Sequence, residues 1–276
     1  MQKTKSRGWC IALLLLLSVL FLAPIFIVFM NSFKGKFYIS AEPFRFPNAE
    51  TFAGLTNYTE GLRKTDFASA FGRSLFITIF SVLLLALFTA MTAWYLWRIQ
   101  NGFTKAIYAA LIFSMIVPFQ MVMFTLSKTA DLLSLNNPIG IPFIYLGFGA
   151  GLSTFLYSGF IRTLPPQLEE AATIDGCGPV GVFFRIIFPL LKPTAVTVSI
   201  LNAMWIWNDY LLPYLLLGTD YPTIPIAVQY LKGGYGSVDM GAMMAMLVLA
   251  ILPIVLFYLI GQKYIIRGVI AGAVKG

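Results

Sequence analysis

The 276-residue sequence contains no histidine and only two cysteines, Cys10 and Cys177. Imidazole acid/base chemistry and His-containing catalytic triads are therefore excluded, and neither a zinc site nor a disulfide framework can be assembled within the chain. A phosphate-cradling loop of the form G-x-x-x-x-G-K-[ST] is also missing, because the one Gly-Lys pair, Gly35-Lys36, is followed by Phe37. Nucleotide hydrolysis has no place in this chain, and no other catalytic constellation takes its place. Charge is scarce as well: 11% of residues are charged, where an ordinary soluble domain carries about a quarter. What fills the space is apolar. Hydrophobic residues make up 59% of the chain and the mean hydropathy is +0.83, which excludes a disordered tail or a fibrous repeat and points to an all-α membrane protein. No internal repeat or low-complexity stretch is visible.

Spans of about 20 residues account for the length. The apolar runs predict six transmembrane helices, at about 9–30, 71–97, 106–127, 141–161, 194–217 and 241–262. The first run follows Lys3, Lys5 and Arg7 but is too long for the apolar core of a signal peptide and lacks a small-x-small cleavage site, so it reads as a retained span. The fourth is rich in glycine (Gly147, Gly149, Gly151, Gly159), which allows helices to approach closely in a bilayer. All six are expected to be helical because backbone amides in hydrocarbon must be paired within the segment. The segment 31–70, with mixed charge and several aromatics, reads as a partly ordered cap on the outer surface.

An even number of spans puts both termini on one side. Assigning them to the cytoplasm leaves eleven Lys/Arg and three acids on the inner segments, against eight of each in the remainder, so the whole net charge of +8 falls on the inner face. The excess of basic residues is thereby explained by topology and lipid headgroups, and no nucleic acid is needed as a partner.

Between the fourth and fifth spans, over 162–193, lies a connector with its own signals. Pro165 and Pro166 suit a first helical turn, where amides lack partners, and Glu169 and Glu170 face the positive end of the helix dipole. Ala171 and Ala172 add helix propensity and a thin face, and Gly176 can adopt the left-handed conformation that ends the helix at Asp175. The apolar stretch 180–188 then runs to Pro189 and reads as a second helix, lying in the membrane interface. A short capped helix with a small-residue face is suited to fill a partner's groove, although the same punctuation also serves ordinary connectors.

The string Glu170-Ala171-Ala172-x-x-Asp175-Gly176, followed by Phe183, Ile186, Pro189 and Pro193, resembles the EAA loop of binding-protein-dependent ABC importers. The tail 263–276, with Ala271, Gly272, Lys275 and Gly276, resembles the closing sequence of carbohydrate permeases similar to the maltose importer G subunit. The stretches 29–34, 118–120 and 207–210 extend the likeness to nearly the whole chain. Cys177 and Phe188 depart from the common alanine and leucine. The resemblance implies a type I ABC importer permease fold in the bacterial cytoplasmic membrane. It also implies coupling to cytoplasmic ATPases through Glu170, Ala171, Ala172, Asp175, Gly176 and Pro189, with further ATPase contacts from the tail. The implied partners are a second homologous permease subunit, two ATPase subunits holding ATP and Mg, and an extracytoplasmic solute-binding protein. This chain is expected to bind no cofactor itself and to form half of a carbohydrate path. A polyol, glycerol phosphate or peptide could use the same architecture. An ion-coupled secondary transporter is disfavoured by the absence of repeats and of buried histidine or acid relays.

Polar residues at membrane depth supply the candidate substrate path: Gln120, Asn202, Trp205, Asn208 and Asp209. Carboxylate and amide could bond sugar hydroxyls while Trp205 or Trp207 stacks on a pyranose ring. They could equally bridge helices or satisfy backbone groups freed by Pro118 and Pro213, and this structural reading carries more weight. The methionines at 240, 243, 244 and 246 read as packing.

Overall fold

The computed structural model describes residues 2–231 and 238–273, with side chains over 8–231 and 238–262. Its helices are, in chain order, α1 (Gln2–Asn31), α2 (Lys36–Ala41), α3 (Thr56–Lys64), α4 (Phe67–Arg98), α5 (Gly102–Ser114), α6 (Phe119–Leu132), α7 (Ile141–Ile161) and α8 (Gln167–Ile174). There follow α9 (Pro179–Val182), a π-helical stretch (Phe183–Ile187), α10 (Phe188–Leu190), α11 (Lys192–Asn208), α12 (Leu211–Leu217), α13 (Ile224–Gln229) and α14 (Met240–Ala273). Among the described residues, four helical segments are each long and apolar enough to cross a membrane: Gly8–Asn31, Phe67–Arg98, Ile141–Ile161 and Met240–Gln262.

Two of the expected spans differ from the reading. The run 106–127 is not one straight helix: α5 and α6 meet at a bend of 109°. Pro118 lacks an N–H to donate and begins α6 in an extended conformation, φ −63° and ψ 138°. The run 194–217 is interrupted at Asp209, which is also extended, with φ −72° and ψ 124°. On its N-terminal side, α11 makes a 76° angle with the helical stretch Pro179–Leu190.

The chain folds as two compact units, Met1–Ala70 with Ile226–Pro253, and Phe71–Pro225 with Ile254–Gly276. In the first, α1 exposes leucines along its length and becomes buried only at its end, at Met30 and Asn31. The following segment is ordered by polar bonds. Asn57 Nδ2 donates to the carbonyls of Ser32 and Lys34 at 2.8 and 2.7 Å, and the buried Lys34 Nζ donates to the Glu42 carbonyl at 2.8 Å. An isolated antiparallel bridge pairs Lys34 with Phe52. The start of α14 packs on α3 because Gly61 leaves room for the Met246 side chain and Gly241 for the Asn57 amide. Met246 is fully buried, in keeping with a packing role.

The second unit has α7 near its middle. Gly151 lies against the Leu111 carbonyl and Met115, and Gly149 against Leu85 and Asn202, so the glycine-rich span does bring neighbours close at these two positions. Gly147 and Gly159 meet nothing within 4 Å. One apolar cluster joins Ile77, Leu85, Ile144, Tyr145, Ile206 and Leu212, and a second joins Ala90, Tyr157, Ala172, Phe183, Ile187 and Val198. The second cluster carries the connector helix α8.

Candidate functional site

The connector folds as its local chemistry dictates. Pro166 caps α8, Glu169 and Glu170 lie in its first turn, and the amides of both donate to the Pro166 carbonyl at 2.9 and 3.2 Å. At the other end Gly176 has φ +85°, its N–H donates to Thr173 O at 3.0 Å, and Cys177 N–H donates to Ala172 O at 2.9 Å. These two bonds are the Schellman pair that closes a helix on a left-handed residue. A Cβ built on Gly176 would meet nothing within 4 Å, so within this chain the glycine answers a conformational need rather than a steric one.

Two adjacent glutamates are placed differently. Glu169 turns inward: Arg98 donates to Oε1 at 2.7 Å and the Trp94 indole N–H to Oε2 at 2.9 Å. Arg98 Nη2 also donates to the Leu164 carbonyl at 3.2 Å. The last turn of α4 thus fastens the start of α8. Glu170 is exposed, together with Ala171, Asp175, Gly176 and Ile174, the last 86% accessible. Ala172, expected on the outward face, is instead buried in the cluster with Val182, Phe183 and Ile187. The reason is angular: Ala172 follows Glu169 by three residues, close to one helical turn, so both lie on the face held against the chain. Pro189 is exposed. Leu168, Val180 and Phe184 add apolar surface outside the chain's own core.

The candidate path residues separate into two groups. Asp209 sits at the break between α11 and α12, where Tyr145 Oη donates to Oδ2 at 3.0 Å and the amides of Leu211 and Leu212 donate to Oδ1 at 3.0 and 3.4 Å. Trp205 packs edge-on against Tyr145, with ring centroids 5.4 Å apart, and remains 41% exposed. Asn208 is exposed, and its amide donates to Met204 O at 2.7 Å. Asn202, by contrast, is buried among helices and donates to Ser153 Oγ at 3.0 Å and Val198 O at 2.8 Å, bridging α11 to α7. Trp207 is buried against Phe71. Gln120 is exposed in the first turn of α6. In the tail, α14 runs through Ala271 and Gly272, and Lys275 and Gly276 lie outside the described residues. Tyr145 was missed in the sequence; the available signal was that Asp209 at membrane depth requires a donor from another helix.

Apolar helices long enough to span a bilayer, bearing a capped and fastened connector helix, define a helical membrane-embedded protein. The chain belongs to the family described as binding-protein-dependent transport system inner membrane components, whose model matches residues 75–271. It is 37% identical over 277 residues, covering 100% of both chains, to the probable starch degradation products transport system permease protein AmyC of Thermoanaerobacterium thermosulfurigenes. It is likewise 37% identical, over 97% of this chain and 96% of the relative, to the multiple sugar-binding transport system permease protein MsmG of Streptococcus mutans. A crystal structure of a bacterial ABC transporter involved in import of the acidic polysaccharide alginate shares the fold, with a TM-score of 0.77 at 21% identity over 96% of this chain and 98% of that one. The ABC importer permease resemblance read from the connector and the tail is thereby borne out.

Proposed function

We propose that this chain is one of two membrane subunits of an ABC importer for a sugar or oligosaccharide, with its ATPase activity, ATP and Mg held by partner subunits. The observation that carries the substrate class is the full-length likeness to permeases named for starch products and multiple sugars. Six crossings follow if α5 and α6 together make one and α11 makes the fifth, so that both termini and α8 share one side, which the excess of Lys and Arg there assigns to the cytoplasm. A second permease subunit completes the path, and an extracytoplasmic binding protein delivers the solute.

Coupling is assigned to the outward face of α8. Its support is that Glu170, Ala171, Ile174 and Gly176 are exposed on a helix held by Glu169 and Ala172 to its own chain. A rigid projection of this kind transmits motion of an ATPase to the spans. The exposed Trp205 face beside Asp209 is the part of the path suited to stacking on a sugar ring.

The test uses the assembled importer in a strain lacking the native copy. Gly176→Leu forces a branched residue to φ +85°, at a cost of about 1–2 kcal/mol. The variant is expected to remain in the membrane, by immunoblot, while uptake of labelled oligosaccharide falls by about 5- to 30-fold, the range that this strain spans when it is borne by the coupling step. Normal uptake by this variant, or solute uptake by the chain alone in liposomes, would sink the assignment.

A further inference from the structure

A cavity of about 140 Å³ opens where α4 ends, α5 begins and α7 ends, and neither coupling nor the sugar path uses it. Trp97, Gln100, Lys105, Tyr108, Ser158 and Arg162 line most of it, and no carboxylate is among its lining residues. Two cations in so small a space repel one another unless an anion lies between them. Among the described residues neither Lys105 nor Arg162 forms an ion pair. Arg162 lies with its guanidinium 4.5 Å from the centre of the Trp97 ring, a stacking that fixes the plane of the fork and leaves its N–H donors available.

The third group is Ser158. As a residue it is 1% exposed, yet it lines the cavity, and none of the side-chain hydrogen bonds among the described residues engages its hydroxyl. Serines in helices commonly satisfy themselves on the carbonyl one turn back, as Ser18 does here on Leu14 O at 2.8 Å. The Ser158 hydroxyl forms no such bond and lines the cavity, where it can donate to an acceptor that enters. At about 30 Å³ per water, the volume suits the four oxygens of a phosphate.

The surroundings indicate where such a phosphate comes from. All the lining residues lie within two turns of helix ends, and Trp97 and Tyr108 are the residue types that gather at the membrane–water boundary. The helix that supplies Lys105 and Tyr108 also exposes Phe103 and Phe113, an apolar face for acyl chains. The geometry points to a binding site for the phosphate of an anionic phospholipid, held by Arg162, Lys105 and the Ser158 hydroxyl, with its chains along α5. This inference rests on the chain's place in the membrane and not on the sugar reading.

The importer complex, reconstituted in nanodiscs of phosphatidylcholine and phosphatidylglycerol and released into neutral detergent, allows the lipid it retains to be measured by native mass spectrometry. The wild type is expected to retain phosphatidylglycerol in preference to phosphatidylcholine. Lys105→Gln, at an exposed side chain, is expected to lower that retention about fivefold, and the pair Lys105→Gln with Arg162→Gln more than about tenfold. Ser158→Ala, which alters no internal bond, is expected to lower it as well. Inorganic phosphate titrated onto the wild type separates the sources: retained lipid that resists it supports the phospholipid, and ready displacement supports an anion site filled by free phosphate. Equal retention by wild type and Lys105→Gln, or loss of ATPase co-purification with lipid retention unchanged, would overturn the proposal.

Discussion

Glu169 and Asp209 are both carboxylates withdrawn from the surface of the same unit, yet they are held by opposite means. Glu169 is met by a guanidinium and an indole N–H. Asp209 is met by a phenol and two backbone amides, with no cation in ion-pair range among the described residues. A carboxylate facing Arg98 does work that depends on its charge, since removing the charge strands the guanidinium. A carboxylate facing neutral donors does work that depends on geometry, since a carboxamide can replace it by accepting at one atom and donating at the other. Glu169 is therefore a fastener for α8, and Asp209 is the cap that lets α11 stop and α12 begin.

The largest expected effect follows from the fastener. Glu169→Ala removes the counter-charge of Arg98 and the acceptor of the Trp94 N–H from an ion pair whose Arg98 and Glu169 side chains are only 20% and 14% exposed, and costs about 3 kcal/mol. Glu169→Gln recovers little of this, because the amide cannot balance the guanidinium. Thermal melting of the importer complex reads the stability, and proteolysis near α8 reads the local release. Protease resistance equal to wild type in Glu169→Gln would remove the distinction between the two carboxylates.

The cap gives a smaller effect with the opposite rescue. Asp209→Ala loses the acceptor for the Leu211 and Leu212 amides and for the Tyr145 hydroxyl, at a cost of about 2 kcal/mol. Asp209→Asn is expected within about 0.5 kcal/mol of wild type, because Asn caps as well as Asp and its Nδ2 can donate to the phenol oxygen. If Asp209→Asn melts like wild type but transports poorly, the charge itself serves the solute, and the comparison is sharpened rather than broken.

The two sites also differ in how far the sequence discloses them. Every determinant of α8 lies in one short stretch, from Pro165 to Cys177, so its start, its acidic first turn and its left-handed stop could be read directly. What could not be read is which glutamate points inward, because Trp94 and Arg98 lie more than seventy residues away. The same holds for Asn202, whose partner Ser153 is on another helix. Hydropathy located the third and fifth apolar runs but is blind to direction, so the bend at Pro118 and the break at Asp209 were hidden inside them. Asp209, followed two and three residues later by Leu211 and Leu212, was a legible cap signal within an apolar run.

A third carboxylate, Asp239 in the other unit, lies between these cases and carries the smallest prediction. It accepts from Lys64 Nζ at 2.6 Å and from the Ala242 amide at 3.2 Å, so it is cation-held and cap at once. Burial pushes its carboxyl upward, but the bonds from Lys64 and Ala242 outweigh this and leave it below the usual aspartate range. The bond to Asp239 raises Lys64 above its ordinary 10.5. A lowered acid contributes stability that is present above its unfolded value of 3.8 and is lost as pH falls through the folded value. A raised base contributes stability that is full below 10.5 and is lost as pH rises through its folded value. The contact between α3 and the start of α14 is therefore expected to hold steady across neutral pH and to loosen only at the two extremes. Asp239→Asn keeps the cap on Ala242 and loses the charge, a change of under about 1 kcal/mol for a pair with Lys64 partly in water. Hydrogen exchange at the α3 amides checks this: slightly faster exchange at neutral pH, with the acid-dependent rise abolished, is the expected result, and a variant that loosens as strongly as Glu169→Ala would place Asp239 among the fasteners.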